Sequence, residues 1–293
     1  MYRGAALFFS LLGVPVLAVM AGLPWALLSP LLGVAFYLLA TRRYRARRRL
    51  LNDPMPDEWK QLLDTRVAFY RRLPDDQKRR FENNVRLFVA EQRIVSVHGA
   101  RVDDEVRLLI GASAAMLCHE WPNWEWDNLR DILVYPSSFD EEYGMKRQAH
   151  ISGMVHSQGP IILSRKDLRH GFAHPKDGHN LALHELAHVL DMAQGYADGV
   201  PADLDWVAEA PWVQLIADRL ARIRSPDTEH VLRDYAGVNE AELFAVAVEA
   251  FFEQPARLQQ RDPELYAMLA AYFEQDPARE DGSMAGRAER SAG

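Results

Sequence analysis

Apolar positions recur at helical spacing along much of the chain. In DEWKQLLDTRVAFYRRL (57–73) they are Trp59, Leu62, Leu63, Val67 and Phe69/Tyr70. In DDQKRRFENNVRLFVAEQ (75–92), after Pro74, they are Phe81, Val85, Phe88 and Val89. Steps of three and four predict two amphipathic helices. DEVRLLIGASAAMLCHEW (104–121) is apolar over most of its length and predicts a buried helix. Short apolar runs at IVSVHG (94–99), DILVYP (131–136) and GPIILS (159–164) predict strands, the last two separated by a polar segment. Another helix should start near Asn180, a residue suited to an N-cap, and stop before Gly195. Its positions Leu181, Leu183, Leu186, Val189 and Leu190 are apolar. NEAELFAVAVEAFFEQ (239–254) is apolar almost all round, which marks a buried helix. The pattern is that of an α+β domain, mainly helical with a small sheet. Asn52 to Pro56 reads as a linker, the domain as 57–277, and the tail 278–293 as disordered.

The N-terminus follows a different rule. No charged residue occurs from Ala5 to Ala40, and RRYRARRR follows at 42–49. One helix over this run would be about 54 Å long, against a hydrocarbon core of about 30 Å. Two short spans joined at Gly22-Leu23-Pro24 fit better than one tilted span. A signal peptide cleaved near Ala21 would leave the second apolar run and six arginines unexplained. The expectation is a transmembrane hairpin at 1–41 and a basic juxtamembrane segment and linker at 42–56. The arginines then hold the rest of the chain on the cytoplasmic side of the bacterial inner membrane. The alternative is a soluble cytoplasmic protein.

Charge sharpens the division. Residues 1–50 hold seven arginines and no acid, so the remainder has 27 basic against 41 acidic residues, about −14. Direct nucleic-acid binding through phosphates is not expected of so acidic a body. The lone Cys118 excludes a disulfide framework and a multi-thiolate metal site, and its apolar surroundings predict an inert buried thiol.

The chemistry concentrates in HNLALHELAHVLD (179–191). His184 and His188 are four apart, so on a helix both imidazoles face one metal ion, with Glu185 directly after the first. Asp191, three residues after His188, can reach back and accept a proton from an imidazole. A catalytic zinc needs a third protein ligand and an open position for water. The compact arrangement with a third histidine requires Gly at 191 and His at 194, where this chain has Asp191 and Gln194. The third ligand should therefore be a later acid: Asp198, Asp203, Asp205, Glu209, Glu240, Glu242 or Glu249. Glu242 is favoured, because a carboxylate inside a buried helix is costly unless a cation pairs with it. Glu209, about twenty residues after His188, is the main competitor. Glu249 lies seven residues beyond Glu242 on the same face and suits a supporting role. His170, His174 and His179, in RHGFAHPKDGHN, could suggest a second metal site; Gly171, Pro175 and Gly178 mark the stretch as a loop of exposed histidines.

HELAHVLD followed by YAGVNEAELFAVAVEAFF resembles the Mlc titration factor A family of zinc peptidases, whose site is similar to that of the anthrax lethal factor protease. The resemblance spans roughly residues 52–278, includes ILVYP and QGPIILS, and leaves out the apolar N-terminus. It implies a zincin-like (gluzincin) metallopeptidase domain with one Zn2+ ion. His184, His188 and Glu242 are the implied ligands, Glu185 the general base, and Tyr235, seven residues before Glu242, an active-site hydroxyl. The implied reaction is hydrolysis of a peptide or protein by metal-activated water. The strand GPIILS could offer its edge to an extended substrate. The resemblance also implies a second class of role, sequestration of a transcriptional repressor of the Mlc type. The lipid bilayer is a further expected partner, through the N-terminus.

Overall fold

In a computed structural model of the 293-residue chain, the described residues are 23–122, 124–129, 131–137, 160–192, 198–201, 206–225 and 230–279, without the side chains of 23–31 and 206–209. The chain divides into two compact units, Met1–Pro54 and Met55–Gly293. In the first, α1 (Leu23–Ala40) ends at Thr41 and α2 (Arg42–Asn52) carries the arginines and buries no residue. Leu32, Val34, Phe36 and Leu39 are exposed. Among the described residues no helix is long and apolar enough to cross a membrane. The first arm of the expected hairpin lies outside the described residues.

The second unit begins with α3 (Asp57–Arg66) and α4 (Ala68–Arg72), where the sequence predicted one helix. The chain breaks at Val67, in extended geometry, and the Arg71 guanidinium bonds the carbonyls of Asp64 and Thr65 left open there. α5 (Asp75–Glu91) packs on α6 (Asp104–Leu117), capped by the Asp103 carboxylate on the Val106 amide. Between them runs β1 (Arg93–Ser96), which with β2 (Asp131–Tyr135) and β3 (Ile161–Ser164) forms a three-stranded parallel sheet in the order β1-β2-β3. Ile94 is level with Ile132, and Ile132 with Ile161. Parallel strands are covered on their faces, and Ile132, Val134 and Leu163 are fully buried.

Strand β3 passes through Ser164, which caps α7 (Arg165–Ala173). A turn then leads to α8 (Leu181–Asp191), capped by Asn180 on the Leu183 amide. After α9 (Trp206–Ile223) and a 3-10 turn (Asp234–Gly237) comes α10 (Glu240–Glu253), buried from Ala241 onward and packed on α8. The Asn239 side chain caps it at Glu242. Helices α11 (Pro255–Arg261) and α12 (Pro263–Phe273) both start on proline, and α12 stacks Phe273 on Trp121 and Phe251. The domain runs slightly past the expected boundary: Ala278 is buried, and its amide donates to the Tyr266 hydroxyl. Residues 280–293 of the expected disordered tail lie outside the described residues.

Candidate metal centre

Helices α8 and α10 bring His184, His188 and Glu242 together over a separation of more than fifty residues. Glu242 Oε2 lies 3.0 Å from His184 Nε2 and 3.6 Å from His188 Nε2. The two Nε2 atoms are 3.2 Å apart, with the rings nearly perpendicular. An ion bound tetrahedrally at about 2.1 Å needs its ligand atoms about 3.4 Å apart, which is the size of this triangle. Glu242 is fully buried, and the groups given at its carboxylate are the His184 and His188 imidazoles. Burial alone would raise its pKa; the two imidazoles outweigh that and hold the carboxyl well below its ordinary range. A buried carboxylate facing two ring nitrogens is a donor set that could hold a cation.

The carboxylate of Glu249, one heptad along α10, fixes the orientation of His184. Its Oε1 lies 2.8 Å from His184 Nδ1, and its Oε2 accepts the Asn180 amide at 2.6 Å. Arg233 closes an ion pair on the same carboxylate. With Nδ1 engaged, His184 presents Nε2 to the triangle. Burial acts to lower the His184 pKa, and Glu242 and Glu249 together raise it above the ordinary value. Four residues further along α10, Glu253 accepts from the amides of Gly178 and His179 and from the Asn180 side chain. Burial, with Asp177 and Glu249 adding to it, pushes Glu253 up to about 8.

Asp191 is the acid expected to orient an imidazole. It is buried, and the backbone amides of Asp198, Gly199 and Val200 act on its carboxylate. Burial and the nearby Asp198 push its pKa up to about 8. Lying at the end of α8, it faces the backbone of Asp198 to Val200, and the carboxylate at His184 Nδ1 is that of Glu249.

Glu185 follows His184 on α8 and is 8% exposed. Tyr235, on the 3-10 turn packed against α10, places its ring 6.1 Å from that of His184. Both His184 and Tyr235 line a cleft of about 560 Å³ with Asp167, His170, Asp177 and Arg233. Among the other acids considered as ligands, Glu240 is exposed at the start of α10, and Asp198 bonds the Val200 amide. Asp203, Asp205 and the Glu209 side chain lie outside the described residues. Sequence reasoning missed Arg233 and Glu253. The signal for Glu253 was present, since 242, 249 and 253 share one face of a buried helix; Arg233 had none beyond its place two residues before Tyr235.

The family comparison decides what kind of protein carries this centre. The profile of the glucose-regulated metallo-peptidase M90 family matches residues 41–274, which include every residue of the triangle. The chain belongs to that family. This M90 member is therefore a metallopeptidase, and its relatives span most of the domain. An uncharacterized protein of Synechocystis sp. is 29% identical over 270 residues, covering 87% of this chain and 98% of the relative. Mlc titration factor A of Edwardsiella ictaluri is 30% identical over 219 residues, covering 70% and 83% respectively. The Escherichia fergusonii protein of the same name is 30% identical over 208 residues, covering 65% and 76%.

Proposed function

We propose that this M90 metallopeptidase hydrolyses peptide bonds with one Zn2+ ion held by His184, His188 and Glu242. The observation that carries the reading is the triangle of ligand atoms at 3.0–3.6 Å around a buried carboxylate that faces two imidazoles. When bound, zinc lowers the pKa of a coordinated water to about 7 and polarises the peptide carbonyl. Glu185 receives the proton of the attacking water and passes it to the departing amine. The Tyr235 hydroxyl donates to the oxygen on which negative charge develops. Glu249 keeps His184 in the tautomer and orientation that leave Nε2 for the metal. The Glu185→Gln variant should lose about 10²- to 10⁴-fold in peptide cleavage while keeping its zinc. Cleavage at the wild-type rate would contradict the mechanism.

The name Mlc titration factor A favours a second reading, in which the same fold binds a transcriptional repressor. The Glu185→Gln protein separates the two roles, because it should keep partner binding while losing cleavage. We infer further that the N-terminal unit tethers the domain to the cytoplasmic face of a lipid bilayer. Supporting this are the uncharged run from Ala5 to Ala40, the exposed Leu32, Val34, Phe36 and Leu39, and the arginines of α2 beside them.

A further inference from the structure

We propose that His170, His174 and Asp177 form a second, weaker zinc site at the rim of the cleft. One ligand atom from each lies within 4.8 Å of the other two, and all three residues are exposed. His170 sits in the last turn of α7 and His174 caps that helix, one turn further on. Their rings stack with centroids 4.2 Å apart. A four-residue step puts two imidazoles on one side of a helix, which is the spacing that chelates a single ion. Asp177 approaches His170 Nδ1 with its Oδ2, at 4.0 Å. An ion bonded at about 2.1 Å needs ligand atoms about 3.4 Å apart, so rotation of exposed side chains brings the three into range.

Two further observations bear on which atoms are left for the ion. His174 Nδ1 lies 3.1 Å from the His170 carbonyl; donation there fixes the tautomer that leaves Nε2 free to coordinate. Asp177 Oδ1 accepts the His179 amide, so its other oxygen is the one turned to His170. The turn itself is fastened at several points. Its Gly178 and His179 amides end on Glu253, Gln254 bonds the Lys176 carbonyl, and the His179 carbonyl would lie 2.9 Å from a Cβ at Gly171. Only glycine at 171 allows the turn to lie this close to α7. Two imidazoles and one carboxylate suit zinc better than magnesium or calcium.

The consequence for activity rests on the catalytic reading above. His170 and Asp177 line the same cleft as His184 and Tyr235, so an ion bound between them obstructs the path of a peptide. Excess zinc therefore inhibits hydrolysis. The test uses the full chain, equilibrated with micromolar free Zn2+ and analysed for metal, with cleavage measured across the same zinc range. Wild type should take up two equivalents and His174→Ala one. At low zinc the variant should cleave like wild type, and its inhibition should need about tenfold more zinc. His184→Ala should keep only the rim equivalent. Two equivalents in His174→Ala, or one in wild type, would overturn the rim site. Two equivalents in His184→Ala would instead contradict the catalytic ligand set and leave the rim site standing.

Discussion

Glu249 joins three parts of the protein through a single carboxylate: the imidazole of His184, the first amide before α8, and the guanidinium of Arg233. Replacing it with glutamine removes the charge that holds His184 Nδ1 in place. The expected cost is about 10- to 100-fold in zinc affinity, with activity restored by added zinc. If zinc affinity is unchanged, Glu249 only packs. His119 supplies a second prediction at this scale. Its ring is 2% exposed against Phe69 and Phe81, and burial, with Arg80 nearby, depresses its pKa to about 4. The unfolded chain takes up this proton near pH 6.5, and the folded one does so only near 4. The stability gained from keeping His119 neutral is thus present above about pH 6.5 and is lost as pH falls toward 4, up to about 3 kcal/mol. Denaturation curves of His119→Leu should show a flatter decline over that range than wild type; equal slopes would contradict the assignment. The clustering of His184, His188 and Glu242 was legible because the four-residue step and the cost of a buried acid are written in the sequence. Glu249 was legible only as a supporting acid, because spacing along one helix cannot show which nitrogen a neighbouring helix reaches.

At the scale of elements, the site depends on how closely helices pack. Gly111 lets α6 approach α5: a Cβ there would meet Val89 at 3.0 Å and Val85 at 3.2 Å. Gly111→Val should cost about 1–3 kcal/mol through overpacking, lowering Tm by roughly 2–12 °C without altering zinc binding. A Tm equal to wild type would show that the helices part easily. Periodicity placed α5, α6, α8 and α10 well, since each has a continuous apolar face or none that is polar. It missed the break at Val67 because that position is apolar and buried in either arrangement. The strands were legible as apolar runs, but their parallel pairing was not. Pairing depends on crossovers that no local pattern encodes.

For the whole molecule, the division at Pro54 separates an arginine-rich helical unit from an acidic domain that carries all the site residues. If the first unit tethers the second, removing residues 1–50 should move the protein from the membrane to the soluble fraction. Peptide cleavage should persist, because α8, α10 and the residues lining the cleft all belong to the second unit. A full-length protein found only in the soluble fraction would contradict the tether. The central claim, that three side chains from α8 and α10 hold the catalytic ion, is tested most directly by anomalous diffraction at the zinc edge from crystals of the full chain. The account predicts a strong peak about 2.1 Å from His184 Nε2, His188 Nε2 and Glu242 Oε2. A zinc-replete crystal with no peak at that triangle would contradict it.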